Sequence, residues 1–337
     1  MKNFKMLYLS CHSIHEYEEV KLFTELGIDV FSHGAYLDPN KPDDPMRPGF
    51  PGRKDEKMIE LAKIHPKEKL TKEMIDPYDV IVVMHVPKWI IYNWELFKNK
   101  TVIWRCNGQS CQNDENSLKH MRKEGLKIVR WSPMERTIPD YLGEDAVIRF
   151  GLDPDEWKGW NGAIPQVVTV GQSMVKRRQF CGWDTFLEAT KGFRRKLYGP
   201  HNEDAGKLNG GFLPIKALKQ VYQNNRVYFY TGTFPAPYTL NFIEAFMTGI
   251  PIVAIGPIRG NPPYLPGQQT YEIHNIIEQG AEGFVSDNIE QLQYMVRLLM
   301  ERKDVAKYIS ENARKRAISL FGKEKIKEQW RKFFEGL

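Results

Sequence analysis

The chain has 337 residues, 42% of them hydrophobic, and 48 Lys and Arg against 42 Asp and Glu give it a formal net charge of +6. That length exceeds one ordinary hydrophobic core and suits two domains, and the mild positive charge fits a polyanionic ligand as well as a solvated basic face. No run of about 18 apolar residues exists, which excludes a membrane-spanning helix, and Cys11, Cys106, Cys111 and Cys181 form no Cys-x-x-Cys pair, which points to a reduced, cytoplasmic setting.

The opening stretch MKNFKMLYLSCHSIHEYEE has too short an apolar run for a signal peptide. Within it, FKMLYLS reads as a strand and IDVFSHGAY, further on, as a second. The spacing of Tyr17, Val20, Leu22 and Phe23 predicts a helix between them. Residues 10–16, with His12 and His15, read as a loop at the carboxyl end of the first strand, where ligands bind in open α/β sheets. Two solvated surface histidines account for that loop equally well. Residues 38–57, DPNKPDDPMRPGFPGRKDEK, carry too much proline, glycine and charge for regular structure. They read as a lid, a binding loop or an insertion. YDVIVVMHVP is a buried strand with His85 at its end, and KTVIWRCNGQS a strand followed by a turn at Asn107 and Gly108. GLKIVRWS is the next strand, with Ser132 ending it and Pro133 opening a helix.

A second series follows. VVTVG ends at Gly171, and Gln172 and the basic cluster Lys176, Arg177 and Arg178 come next. A diphosphate needs fixed positive charge and forked donors, and arginine supplies both; a solvated basic loop has the same composition. RRKLYGPHNED is a strand ending at Gly199 and Pro200. Residues 210–230 read as a loop with Phe212 and Leu213, a helix, and the strand VYFY. Pro235 and Pro237 stop that strand, and residues 238–248 have helical spacing, with Thr239 as N-cap, Gly249 as stop and Pro251 as a bar to continuation. PIVAIG is another buried strand. A helix fed by a strand leaves free amide donors at the carboxyl edge of a parallel sheet, where phosphates bind. No Asp-x-Asp triplet stands at a strand end to hold a cation.

The stretch from Ala236 to Gly256, with Glu244 and the closing GIPIVAIG, resembles the donor-binding signature of family 4 glycosyltransferases. That family has a Glu eight positions before the one matched by Glu244; Ala236 stands there, and Thr239 stands where glycine is usual. Gly151 and Asp153 match the family's crossing segment, and the likeness covers most of the chain, strongest from Ala146 onward. It implies an α/β fold of the GT-B type, two Rossmann-like domains facing across a cleft. Residues 1–149 would form an acceptor-side domain and 150–316 a nucleotide-sugar-binding domain, with a helix at 317–337 crossing back to the first.

The resemblance also implies transfer of a glycosyl group from a nucleotide-sugar to an acceptor, with retention of configuration and no metal or other cofactor. By position, Lys176, Arg177 or Arg178, with the amides of Thr239 and Leu240, would stabilise charge on the diphosphate. Gln172 replaces a family arginine that follows Gly171. Glu244 would hold ribose hydroxyls, Gly199 and the backbone of Phe212 and Leu213 would pass the nucleobase, and His85 would lie near the reacting sugar. Asn107 takes a place where relatives commonly carry histidine, and Trp330, Phe333 and Phe334 are expected to pack rather than bind. Ala236 and Gln172 keep open a non-catalytic nucleotide-sugar or glycan-binding module, and an isomerase of the same fold is a further alternative.

Acceptor contacts fall to residues 10–16, 38–57 and 107–114, which hold His12, His15, Arg47, Arg53, Asn107 and Gln109. No amphipathic helix with a basic face and an apolar edge is present, which argues against a lipid-embedded acceptor. A soluble or surface-presented glycan is the preferred acceptor, and a modified base on DNA is the alternative that the positive charge supports.

Overall fold

The computed structural model describes residues 4–37, 45–50, 52, 56, 59–61, 69–264 and 267–337. The chain divides into two compact units, Met1–Gly151 with Lys323–Leu337, and Leu152–Gly322.

The first unit is built on a parallel sheet in the order β2-β1-β3-β4-β5-β6. Its strands are β1 (Lys5–Leu9), β2 (Asp29–His33), β3 (Val80–Met84), β4 (Thr101–Arg105), β5 (Lys127–Arg130) and β6 (Ala146–Val147). All five residues of β3, VIVVM, are buried, as expected of a strand covered on both faces. Successive side chains leave a strand on opposite faces. Leu7, Leu9, Ile81 and Val83 accordingly enter one core cluster and Met6, Tyr8, Val82 and Met84 another. The helix Lys323–Glu335 closes the second cluster: the Trp330 ring meets Phe23 at 5.0 Å, and Phe334 meets Phe4 at 5.4 Å. This helix begins at Lys323 rather than 317, because the preceding helix Lys303–Phe321 runs unbroken to Gly322, whose ψ of 132° ends it. Residues 38–44, 51, 53–55 and 57, most of the proline-rich segment, lie outside the described residues, Arg53 among them; Glu56 is already helical.

The second unit has a parallel sheet in the order β11-β10-β9-β7-β8. Its strands are β7 (Ile164–Val170), β8 (Arg195–Tyr198), β9 (Asn225–Tyr230), β10 (Ile252–Ile255) and β11 (Phe284–Ser286). The central β9 is buried at every residue, which suits its aromatic and β-branched composition. The helix Leu240–Thr248 follows it and ends at Gly249, where φ is +89° and a Cβ would meet the Ser310 hydroxyl at 3.0 Å. Glycine there meets both the left-handed backbone and the close approach of the helix Lys303–Phe321. In each unit the parallel strands bring their carboxyl ends to one edge, and the candidate residues gather at these two edges. Among the described residues no helix is long and apolar enough to cross a membrane.

Candidate functional site

In the second unit the loops after β7 and β8 are fastened to each other. Gly199 has φ +126°, and a Cβ at that position would overlap the carbonyl oxygen of Gly171. The buried Asn202 completes the fastening. Its Nδ2 donates to the carbonyls of Gly171 (2.7 Å) and Gly199 (3.0 Å), and its Oδ1 accepts from the Met174 amide at 2.9 Å. Asn202 was not singled out from the sequence; an amide side chain three residues past a strand-terminal glycine, able to donate and accept at once, was its signal. The fastened loop presents the basic cluster, and the structure separates its members. Arg178 is held by Asp184, with Nε donating at 3.0 Å. Lys176 reaches Asp204 at 3.7 Å with both side chains well exposed. Arg177 is exposed, and among the described residues its guanidinium makes no ion pair.

Beside this loop lies a small recess lined by Gly171, Met174, Cys181, Tyr230, Thr231, Thr233 and Asn241, with Thr169, Val170 and Gly232. Its floor is the junction of β9 and the helix Leu240–Thr248. Thr239 occupies the N-cap position, yet its side chain caps no amide. Its hydroxyl is 3.1 Å from the Tyr230 hydroxyl and also bonds Asn241 Oδ1, so the expected side-chain cap is absent and the first helical amides, at Leu240 and Asn241, are left without one. Asn241 Nδ2 donates to the Val170 carbonyl at 2.5 Å.

Glu244 departs from the expectation of an open ribose ligand. It is 2% exposed, and the Tyr222 hydroxyl lies 3.4 Å from Oε2. Residues from Phe242 to Thr248 are all buried, because the helices Lys303–Phe321 and Ile215–Asn224 both pack on this one. Glu244 shares a helix face with Asn241, three residues earlier, whose side chain lines the recess. Phe212 is half exposed and Leu213 half-buried on the loop after β8, tied back by the Gly199 amide donating to the Gly211 carbonyl at 3.0 Å. Gln172 is exposed. Ala236 is buried at 4% exposure and brings no polar group.

In the first unit only residues 10–12 form the loop after β1. The helix Ser13–Glu25 already contains His15, and His12 is its N-cap residue. The two histidines therefore differ: His12 is exposed, whereas His15 is 6% exposed, stacked under His12 at 4.3 Å and packed on Trp131 (5.0 Å) and Phe150 (5.2 Å). His85 follows β3 with φ +59°, a conformation costly for a non-glycine residue and concentrated at functional sites. Its amide donates to the Arg105 carbonyl at 2.9 Å, and its carbonyl accepts from Trp104 Nε1 at 2.8 Å. The Nδ1 atoms of His15 and His85 are buried without a hydrogen-bond partner among the described residues. Asn107 is half-buried, and its Oδ1 accepts from the Gln109 amide at 3.3 Å. Arg47 is no open acceptor ligand: it is 5% exposed, paired with Glu18, and its Nη1 donates to the Met46 carbonyl.

Burial pushes the His15 pKa well below its usual range, and the neighbouring charges of His12 and Arg105 push the same way; burial also lowers His85. A histidine whose folded pKa lies below its unfolded value is neutral in the native state while the unfolded chain takes up a proton. Stability is then lost as pH falls below about 6.5, at up to about 1.4 kcal/mol per pH unit for each such group. The raised pKa values of Glu16 and Glu135, both caused first by burial, act in the opposite direction at lower pH. The expected result is a stability slope between about pH 6.5 and 5.5 that is steeper in the wild type than in His15→Gln, read from denaturant unfolding at each pH. Equal slopes would remove His15 from this account.

No protein-family model matches the chain, and no curated protein sequence matches it. Solved structures do. The Anabaena protein HepE, solved in complex with UDP and glucose, matches with a TM-score of 0.68 at 13% identity, covering 99% of this chain and 100% of its own. Sucrose-phosphate synthase from Thermosynechococcus elongatus matches with a TM-score of 0.70 at 15% identity, over 98% of each chain. A glycosyltransferase from Rickettsia africae matches with a TM-score of 0.69 at 14% identity, over 100% of this chain and 99% of the other. Whole-chain matches of this kind, together with the two parallel sheets, show that the fold is GT-B.

Proposed function

We propose that the protein transfers a glycosyl group from a nucleoside-diphosphate sugar to an acceptor hydroxyl with retention of configuration. The observation that carries this reading is the edge of the second sheet. There an exposed Arg177 without an ion-pair partner among the described residues stands on a fastened loop, beside a recess next to uncapped helix amides. Breaking the bond from the anomeric carbon to the diphosphate leaves negative charge on phosphate oxygens. Fixed cations and backbone donors aimed at that charge lower the barrier. In this reading Arg177, supported by Lys176, and the amides of Leu240 and Asn241 do that work, so no metal is required. Gly171 and Gly199 admit the diphosphate closely, and Phe212 and Leu213 flank the base. In the first unit, this reading assigns His85 to the sugar and His12 and Asn107 to the acceptor, with the buried His15 supporting His12 from beneath. The solved relatives with UDP or UDP-glucose support the donor class. The buried thiols of Cys106 and Cys181 suit a reducing, cytoplasmic setting.

The test is turnover of a panel of nucleotide-sugars against a glycan panel, with the anomeric configuration of donor and product compared by NMR. Saturable nucleotide binding without turnover favours a binding module instead, the reading that Ala236 motivates by removing a carboxylate from the signature. For Glu244 we expect Glu244→Gln to weaken donor binding about tenfold or more, the scale of a hydrogen bond to a charged group. Unchanged affinity in calorimetry would leave Glu244 a structural residue of the helix Leu240–Thr248.

The acceptor is a neutral glycan in this reading, since among the described residues the first-unit candidates are histidines and Asn107, with Arg47 buried and paired. Its affinity is expected to vary little with salt. A nucleic-acid acceptor would lose affinity steeply between about 50 and 200 mM salt, as counterions reassociate with its phosphates. Steep salt dependence with hydroxymethylated DNA would overturn the glycan reading and leave the donor side standing.

A further inference from the structure

The floor of the recess is a hydrogen-bonded chain whose direction follows from the groups themselves. A hydroxyl has one proton to donate. Asn241 Oδ1 is only an acceptor, so Thr239 must donate to it, and the Tyr230 hydroxyl must then donate to Thr239. The Val170 carbonyl is also only an acceptor, so Asn241 Nδ2 must donate there. The Val170 carbonyl thereby fixes the Asn241 amide, since flipping it would set Oδ1 against that carbonyl oxygen. One N–H of Nδ2 remains, and no described residue accepts it, although the side chain lines the recess. Tyr230 is 2% exposed, so its hydroxyl is spent on this chain rather than on solvent. The same arrangement draws the Thr239 hydroxyl away from the helix amides that it would otherwise cap.

We propose that Asn241 contacts the donor, its remaining amide N–H donating to an anionic oxygen of the diphosphate, and that Tyr230 and Thr239 are positioning residues that hold it there. This rests on the nucleotide-sugar reading above. Nothing in the family signature asks for an amide at 241 or a tyrosine at 230; both follow from the arrangement of the recess. A rigid neutral donor is pre-organised, because its orientation is fixed before the ligand arrives and no ordering cost falls on binding.

The test uses the full chain and calorimetry with UDP, GDP, ADP and the corresponding nucleosides. For the diphosphate that binds, Asn241→Ala is expected to lose about tenfold or more in affinity, with the nucleoside affected less than about twofold. Tyr230→Phe is expected to lose about threefold to tenfold on the diphosphate alone. The double variant should be no weaker than Asn241→Ala, because the tyrosine acts through the amide. Asn241→Asp keeps the shape and sets a carboxylate before the phosphates, so it should bind nucleoside and lose diphosphate; it serves if the alanine variant does not fold. Equal losses on nucleoside and diphosphate, no loss at all, or additive effects in the double variant would overturn the proposal. A wild type that binds none of the diphosphates would overturn the nucleotide-sugar reading itself, whereas a wild type that binds while Asn241→Ala is silent would overturn only this inference.

Discussion

Arg177→Ala is expected to lower turnover at least about a hundredfold, the scale of losing one fixed donor from a site of developing charge. The two neighbouring cations are not expected to share this effect. Arg178 is committed to Asp184 on the protein surface. An exposed pair is worth about 1 kcal/mol or less, so Arg178→Ala should change turnover less than about fivefold. Lys176, 3.7 Å from Asp204 and exposed, should fall between the two. Arg177→Lys should recover part of the loss, since the ammonium restores charge without the fork that grips two phosphate oxygens. Steady-state kinetics on the three alanine variants with one donor would decide it. If Arg178→Ala fell as far as Arg177→Ala, the diphosphate would be held by another face of this loop.

The sequence made the position of this cluster legible but not the order of its members. A strand ending at Gly171 followed by three cations is visible in one dimension. Which cation is occupied depends on Asp184, in the helix Trp183–Ala189, and on Asp204, two residues past the Asn202 that closes the loop. Thr239 shows a similar limit. Residue type and spacing put it at the N-cap, and the position holds, but the Tyr230 hydroxyl from the neighbouring strand redirects its side chain. Glu244 sits in a helix whose pattern gives no single polar face; packing from two sides buries a carboxylate that the signature would leave open.

The alternation of buried strands and helices carried most of the architecture, because fully covered parallel strands such as VIVVM and NRVYFY have a composition that few other elements share. The start of the helix Ser13–Glu25 was missed because no side-chain cap marks it: His12 occupies the cap position without bonding the first amides. That one-turn difference moved His15 from a surface loop to a buried stack on Trp131 and Phe150. His85 was legible as a strand end, but its positive φ was not, since nothing in the residue type announces it.

The second large effect is expected in the first unit. Arg130→Ala should cost about 3–5 kcal/mol of stability, because it removes one partner from a fully buried charge pair. Arg130 and Glu115 are both 0% exposed, and the guanidinium donates twice to the carboxylate, at 2.7 Å and 2.8 Å. It also donates to the Gly143 carbonyl and lies over the rings of Trp104 (5.2 Å) and Tyr141 (4.4 Å). Without it, Glu115 keeps only the Leu142 amide at 3.0 Å among the described residues and remains out of reach of water. Glu135 is less exposed to this loss, since the amides of Trp131 and Ser132 hold its Oε1 at 2.7 Å and 3.0 Å. The double variant Arg130→Met with Glu115→Leu should therefore recover most of the stability, as replacing both ions of a buried pair by apolar groups is often nearly neutral. Calorimetry should show a lower unfolding temperature, by roughly 6–20 °C for a domain of this size, in Arg130→Ala and much less in the double variant. Nucleoside diphosphate affinity, which the proposed function assigns to residues of the other unit, should stay within about twofold of wild type under conditions where Arg130→Ala remains folded. A double variant as unstable as the single one would show that the pair's hydrogen bonds to Gly143 and Leu142, rather than the stranded charge, account for the loss.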